Sequence, residues 1–148
     1  ILQSKSRLTE NNIGHYIESM GSCIELVGYR QRKKGVTCLG DLTADFGCNV
    51  KFIIGKKLKY KKLKFDSLSS QLFNQKSKQM VNGNTKVVYD SPLKSLIWLI
   101  NKLKKDEINI NKNFYVFTGS TVGVVPILKK GLFEGQIKSL GRVKATIS

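Results

Sequence analysis

The chain has few acidic residues, no long apolar run and no closely paired cysteines. It carries 10 Asp and Glu against 26 Lys and Arg, a formal net charge of +16 over 148 residues. No apolar run approaches the roughly 20 residues of a membrane-spanning helix, so we expect no transmembrane segment. Cys23, Cys38 and Cys48 include no CxxC pair, which argues against a zinc ribbon and predicts small, buried free thiols in a reducing compartment.

Motifs of the common catalytic and nucleotide-binding classes are also absent. There is no P-loop, no GxGxxG, no HExxH, no nucleophile elbow and no internal repeat. The single histidine, His15, has no cysteine, serine or carboxylate in a pattern that would pair with it for catalysis. We therefore assign no catalytic residue from motifs alone.

The excess of positive charge bears on the class of partner. A net charge of +16 disfavours an ordinary cytosolic metabolic enzyme and favours a polyanionic neighbour such as RNA, or an anionic membrane surface. The basic residues are mostly lysine and accompany many Asn and Ile residues, a composition that the codon bias of an AT-rich genome also produces. Both explanations of the charge stay open at this stage.

Hydrophobic periodicity predicts an α+β fold with two main helices. We expect Thr9 to cap a helix over Glu10–Met20, and Pro92 to stand near the start of a second helix over 91–105. Val81–Asn84 is predicted as a turn. Alternating or continuous apolar runs predict strands, with a hairpin over 68–81 and a final hairpin over 132–147. The remaining predicted strands are 22–30, 50–55 and 114–117.

The stretch Phe114–Leu128, F-Y-V-F-T-G-S-T-V-G-V-V-P-I-L, joins an apolar run to a turn of small, hydroxyl-bearing residues. Alone it predicts a strand and a tight turn, and such a turn can also present donors to a small anion. With the following K-G-L-F-E-G-Q-I and L-G-R-V-K-A-T-I, it resembles the C-terminal end of the fumarylacetoacetate hydrolase superfamily. Within that superfamily the chain is most similar to 2-hydroxypenta-2,4-dienoate hydratases and 4-oxalocrotonate decarboxylases, in matching order from about Ile13 onward.

The resemblance implies a site for Mg²⁺ or Mn²⁺ and a turn beside the substrate. The segment C-I-E-L-V-G-Y-R is similar to a family segment that supplies one carboxylate ligand, which makes Glu25 the candidate metal ligand. From the residues alone, a pairing of Glu25 with Arg30 or a lysine stays open. Thr118, Gly119 and Ser120 match the family's substrate-side turn.

Other family positions differ in this chain. Gly28 stands where the family has Asp, and in the segment D-L-T-A-D-F, Phe46 stands where the family has Asn. The family also needs an E-x-E pair and a general base, usually lysine, from its first half, and this chain has no E-x-E. We therefore interpret residues 1–148 as a single hydratase-like domain that lacks the family's N-terminal half. Its fold would be a curved, mostly antiparallel sheet, a partial hydrolase-type β-roll that needs a protein partner over its exposed sheet edge.

A basic patch of seven lysines with no acidic residue among them occupies 51–64. Apolar residues alternate with these lysines, which predicts an extended segment with one basic face. Such a face either protects a strand edge or contacts phosphates, and both interpretations stay open. Its members are Lys51, Lys56, Lys57, Lys59, Lys61, Lys62 and Lys64.

Three functional hypotheses follow. The first is a degenerate, non-catalytic hydratase-fold protein that serves as a basic structural subunit of a large assembly, with a mitochondrial ribosome as the best-suited partner and no cofactor. The second is a Mg²⁺- or Mn²⁺-dependent lyase on small 2-oxo acids whose missing half is supplied elsewhere. The third is an RNA- or lipid-surface-binding module. The missing ligands and the charge favour the first, in mitochondria or otherwise the cytoplasm, whereas Glu25 and the Thr118–Ser120 turn favour the second.

Overall fold

The structure, a computed structural model, describes residues 7–30, 36–110 and 112–148. Helices and strands both occur and all paired strands are antiparallel, so the expected α+β class is confirmed. The α-helices of the described residues are α1 (Leu39–Ala44) and α2 (Pro92–Lys105). The strands are β1 (Ser19–Met20), β2 (Cys23–Val27), β3 (Asn49–Ile54), β4 (Leu58–Lys59), β5 (Ser69–Asn74), β6 (Met80–Asn84), β7 (Gly131–Ile137) and β8 (Gly141–Ile147).

A four-stranded sheet with the order β6-β5-β7-β8 is the largest unit. In its register Leu72 lies opposite Gly135, which lies opposite Val143, and Asn74, Phe133 and Ala145 form the next row on the same face. In β8 the inward residues are buried and Arg142, Lys144 and Thr146 are exposed, which confirms the predicted alternation and the final hairpin. The hairpin β5–β6 is also confirmed.

The two-stranded sheet β2–β3 packs on that buried face. Ile24 lies so close to Gly135 that a Cβ at residue 135 would come within 3.1 Å of it. The buried Ser22 hydroxyl donates to the carbonyl of Gly141 at 2.8 Å and accepts from the Ile137 amide at 3.2 Å. These contacts join the start of β2 to the β7–β8 turn, so the two sheets form two layers.

Helix α2 begins and ends as its residues predict. Ser91 caps it by accepting a hydrogen bond from the Leu93 amide at 3.2 Å, and Pro92 follows at the first helical position. Lys102, Lys104 and Lys105 occupy its last turn, where their charge opposes the negative end of the helix dipole. Ile100 of α2 is fully buried and packs with the core residues Leu8 and Ile13. Around this cluster lie four partly buried residues of α2 and one residue from before β1: Leu93, Leu96, Ile97, Leu103 and Ile17.

The expected helix over Glu10–Met20 is wrong. One 3₁₀ turn, Ile13–Tyr16, is followed by an extended residue, Ile17 (φ −100°, ψ 108°), and then by β1. Gly14 lies against the ring of Tyr60, where an added Cβ would come within 2.5 Å of a ring carbon. Pairing of β1 with β4 thus overrides a weak local helix preference, although Ile13 still reaches the core.

The expected strand Phe114–Phe117 and the expected turn Val81–Asn84 are also wrong. The first forms no ladder with any described strand, and Phe114 and Tyr115 are 36% and 55% exposed. The second is strand β6, and the hairpin turns at Asn74 to Gln79, where the Asn74 amide donates to the Gln79 carbonyl at 2.9 Å. Of the helices within the described ranges, none has the length and apolarity to span a bilayer, as expected.

Candidate ligand-binding trough and basic strip

An open trough of about 1770 Å³ lies between the β2–β3 sheet, the segment 112–127 and the inner face of the four-stranded sheet. The first turns of α2 close one part of its wall. Among the described residues, eighteen large apolar side chains are exposed and eleven apolar residues are buried. Half of the eighteen line the trough: Tyr16, Val27, Tyr29, Leu42, Ile54, Phe114, Tyr115, Val124 and Ile127.

The total surface agrees with this openness. The protein exposes 10390 Å² of accessible surface. A compact monomer of 16.6 kDa exposes about 7600 Å² by the usual scaling of surface with mass. The eighteen exposed apolar side chains, half of them in one trough, are of the kind that marks interaction surfaces.

The hydroxyl-rich turn Thr118–Thr121 is held at the trough by three anchors. The Ser95 hydroxyl on α2 donates to the Thr118 carbonyl at 3.0 Å. The Thr121 carbonyl lies against Gly83 of β6, since an added Cβ at that glycine would be 2.0 Å from the oxygen. Gly119 packs on Val88 with φ +134°, a conformation that favours glycine. The turn is therefore a fixed feature of the wall.

Several donors of this turn have no acceptor within the described part of the chain. No oxygen there accepts from the backbone amides of Gly119, Ser120 or Thr121. The Ser120 hydroxyl donates to the Gly123 carbonyl at 2.9 Å, which stiffens the loop. Consecutive unpaired amides around a glycine with positive φ can bind a small anion such as a carboxylate. Thr118, Gly119 and Ser120 all line the trough.

Glu25 lines the same trough. Because it pairs with Phe52 in the register, it shares a sheet face with Phe52 and with Cys23 two residues earlier. Its Oε1 accepts a hydrogen bond from the Asn49 side-chain amide at 2.7 Å. None of the ion pairs found among the described residues includes Glu25, so the alternative of a pairing with Arg30 or a lysine is wrong. Although Cys23 is exposed, desolvation of its thiol by neighbouring groups, with a smaller contribution from the Glu25 charge, raises the pKa of that thiol.

Arg30 instead holds Asp45. Its Nε donates to the Asp45 carboxylate at 2.7 Å, its Nη2 donates to the Asp45 carbonyl at 2.8 Å, and its Nη1 donates to the Asn49 carbonyl. The Asp45 side chain is 5% exposed. This ion pair fixes the connection between α1 and β3, and local sequence pattern offers no signal for a pairing across fifteen residues.

The described residues do not by themselves fit a divalent cation. Hard cations take six or more oxygen ligands, usually with several carboxylates. Within residues 7–30, 36–110 and 112–148, no three His, Cys, Asp or Glu side chains are grouped so that they could hold a metal ion. Asp45 is engaged by Arg30, and Asp41 accepts from the Thr37 hydroxyl at 2.6 Å, so both aspartates of the matched segment have structural partners.

An aromatic array runs along the trough wall beside the basic patch. Phe52 and Phe117 stack with ring centroids 3.5 Å apart and planes within 3°, and Tyr115 lies 6.4 Å from Phe117. Lys57 Nζ lies 4.8 Å from the centroid of the Tyr115 ring, a cation–π distance. The polar group of the Tyr115 side chain, with a smaller effect of the Glu18 charge, raises the pKa of Lys57.

All seven lysines of the predicted basic patch are exposed, and the alternation predicted for this segment is confirmed. Tyr60 and Phe65 point inward and pack with Leu68 and Leu140. Lys51 is separated from the other six, because it pairs with Leu26 on the β2–β3 face opposite to Phe52. The aromatic side chain that contacts a patch lysine, Tyr115, comes from a distant segment and was missed by sequence reasoning.

Comparison with known proteins adds no assignment. No protein-family model matches the chain, and no curated protein matches it significantly.

Proposed function

We propose that this chain carries the substrate-binding surface of a lyase that acts on small 2-oxo acids, as its resemblance to the fumarylacetoacetate hydrolase superfamily implies. The supporting observation is that Glu25 and the Thr118–Ser120 turn, far apart in sequence, line one trough. The resemblance assigns both to the reaction site, and the fold brings both to the same concave surface. In this proposal another chain segment closes the trough and supplies the carboxylates that the described residues lack.

Each part of the trough has a definite task in this proposal. The free amides of the Thr118–Thr121 turn hold the carboxylate of the 2-oxo acid. Lys56 and Lys57 also line the trough and give it the positive potential that attracts an anionic substrate. The aromatic wall of Phe52, Phe117 and Tyr115 contacts the hydrocarbon tail and excludes water from it. The resemblance implies a Mg²⁺ or Mn²⁺ ion as Lewis acid, for which the described residues offer Glu25 alone, so its other ligands would have to come from the segment that closes the trough.

The test is turnover of 2-hydroxypenta-2,4-dienoate by the native protein, purified with the chains that accompany it, in the presence of Mg²⁺ or Mn²⁺. The loss of the dienoate's ultraviolet absorbance measures the rate. We expect Glu25→Gln to lower the rate at least about 100-fold if that carboxylate binds the ion. Glu10→Gln, an exposed carboxylate outside the trough, is the matched control and should stay within about twofold.

Binding without turnover tests the turn separately. Calorimetry with 2-oxopentanoate, a saturated 2-oxo acid, should show about tenfold weaker binding for Thr118→Val, since the substrate loses one hydroxyl donor. Thr146→Val, on the exposed face of β8, should bind as the unmodified protein does. The proposal is wrong if the native complex shows no metal-dependent turnover and Thr118→Val binds 2-oxopentanoate unchanged.

A second candidate function is a non-catalytic, basic structural subunit of a large RNA-containing assembly, such as a mitochondrial ribosome. The openness of the trough and the net charge of +16 support it, because both favour burial of this chain among other macromolecules. Sedimentation of the native protein at low and at high salt tests it. Co-sedimentation with an RNA-containing particle, without dienoate turnover, would favour this candidate; a small metal-dependent oligomer would exclude it.

A further inference from the structure

The basic segment connects two exposed aromatic sites on the surface. At one end Lys56 and Lys57 border the trough beside Tyr115, which is 55% exposed. At the other end a second cleft is lined by Lys64 together with Lys86 and Tyr89. Tyr89 is 61% exposed, and its ring lies 6.4 Å from the ring of the half-exposed Trp98. The path from Lys57 to Lys64 spans at most about 25 Å.

Six lysines follow this path and, with the two tyrosines, form a surface that we name the basic strip. Its members are Lys56, Lys57, Lys59, Lys61, Lys62, Lys64, Tyr115 and Tyr89. Leu58, Tyr60 and Leu63 point inward, so the lysines between them face outward. Side chains two residues apart on an extended chain lie about 7 Å apart on one side. Lys57, Lys59 and Lys61 therefore form a row of positive charges rather than a cluster around one point.

The charge of this row is largely uncompensated. None of the ion pairs found among the described residues involves a lysine of the strip. The acidic groups nearest to it are Glu18, which acts weakly on Lys57, and Asp66 and Asp90, which line the second cleft. A row of six like charges with three acids at its margins repels itself, and a linear polyanion relieves that repulsion.

We propose that the basic strip binds single-stranded nucleic acid, with the lysines on successive phosphates and bases stacked on Tyr115 and Tyr89. Non-specific single-strand binding combines a basic track with exposed aromatic rings, and both features occur here on one surface. The proposal goes beyond the lyase and does not depend on it. It gives the second candidate function a specific contact surface, and binding by the purified chain is tested without reference to turnover or to a particle.

The experiment is fluorescence anisotropy of a labelled twelve-residue oligouridylate with the full chain at 50 to 300 mM KCl. We expect a dissociation constant on the order of 10 µM near 0.1 M salt. If six phosphates are neutralised, the logarithm of the binding constant should fall with the logarithm of salt concentration with a slope of about −4. The variant with Lys57, Lys59 and Lys61 all changed to Gln should lose at least about tenfold in affinity and about 2 units of slope.

A charge-matched control separates the strip from net charge. Lys129, Lys130 and Lys138 are exposed, lie outside the strip and form none of the ion pairs found. Changing all three to Gln removes the same charge and should weaken binding less than about threefold. Equal losses in the two triple variants would overturn the proposal, because binding would then follow net charge alone.

Stacking is tested by Tyr115→Leu, which keeps an apolar side chain but removes the ring. We expect about tenfold weaker binding to the oligouridylate. Tyr29→Leu is the control, since Tyr29 is 62% exposed and lies outside the strip. Unchanged binding by Tyr115→Leu, equal affinity for a duplex of the same length, or tighter binding to vesicles rich in phosphatidylserine would each overturn the proposal.

Discussion

The four-stranded sheet and the trough wall opposite it differ in how fully their backbone is paired and their apolar side chains are buried. In the sheet, β7 pairs along its length with β5 on one side and β8 on the other. Its inner face buries Phe133, Val143 and Ala145, each at 6% exposure or less. Backbone hydrogen bonding and apolar burial coincide there, which is the condition for a sheet that is stable by itself.

The opposite wall has its backbone only partly paired and its apolar side chains largely exposed. It consists of the two-stranded sheet β2–β3 and the segment 112–127, which joins no ladder among the described residues. Tyr115 and Val124 of that segment are 55% and 80% exposed. A two-stranded sheet is marginal without a further packed layer. Pairing and burial therefore coincide in the four-stranded sheet, whereas on the trough side much of the apolar surface stays exposed.

The largest expected effect comes from a matched pair of phenylalanines, one in the four-stranded sheet and one in the connection that leads from α1 into β3 of the trough wall. Phe133→Ala removes a ring that is 6% exposed and should lower the free energy of unfolding by about 4 kcal/mol. Phe46→Ala removes a ring that is 83% exposed and should change it by less than about 0.5 kcal/mol. Urea denaturation measures both. Similar losses for the two variants would show that the connection into the trough wall is packed in solution.

The next effect concerns the contact that joins the two sides. Gly83→Ala on β6 places a Cβ against the Thr121 carbonyl, where the open distance is 2.0 Å, and should cost about 2 kcal/mol of stability. Limited proteolysis within residues 118–127 should be faster in this variant, because the segment loses its contact with β6. Gly40→Ala in α1, where the Cβ meets nothing nearer than 3.7 Å, should be neutral or gain about 0.5 kcal/mol. If Gly83→Ala also left stability unchanged, the Thr121 carbonyl would not lie against β6 in solution.

The elements that sequence predicted correctly are those whose signals are local. Ser91 and Pro92 mark the start of α2 because a cap and a proline act within one turn. The alternation along β8 follows from which face of a strand is buried, and the period of two is visible in the residues themselves. The exposed lysines of the basic segment follow from the same alternation.

The wrong predictions each depended on a distant partner. Residues 10–20 have a helical spacing of Ile13 and Ile17, but pairing of β1 with β4 and the Tyr60 ring against Gly14 decide the backbone. Gly83 suggests a turn locally, whereas its actual role is to let the Thr121 carbonyl approach β6. Sequence identified Glu25 and the turn residues as a pair only through the resemblance, since no local pattern places them in one trough.

A smaller effect is expected at the ion pair that holds the α1–β3 connection. Asp45→Asn keeps the side-chain shape but weakens the hydrogen bonds from Arg30. Because Asp45 is buried and Arg30 is partly exposed, we expect the free energy of unfolding to fall by about 1.5 kcal/mol. Asp90→Asn, which loses an exposed contact of 3.7 Å with Lys94, should change stability by less than about 0.5 kcal/mol. Thermal unfolding at low and high salt distinguishes them; a salt-sensitive loss at Asp45 would contradict its burial.

The smallest expected effect is in thiol chemistry, where the expected burial of all three cysteines is wrong. Cys48 is buried but Cys23 and Cys38 are exposed. Burial, followed by the charge of Asp45 and its hydrogen bond, raises the pKa of Cys48 above 9.0. A raised pKa keeps this thiol neutral in the folded state, so its stabilising contribution is present below pH 9 and is lost as the pH rises through the folded value.

Alkylation by iodoacetamide at pH 8 should therefore modify Cys38 first and Cys48 last, because the attacking species is the thiolate and access is required. Mass spectrometry of the digested protein gives the three rates. In Asp45→Asn, Cys48 should react faster than in the unmodified protein, because the nearby negative charge that raises its pKa is removed. Equal rates for Cys48 and Cys38 in the folded protein would mean that the α1–β3 connection opens on the timescale of the reaction. The region that leads into the trough wall would then be less ordered than its contrast with the four-stranded sheet already implies.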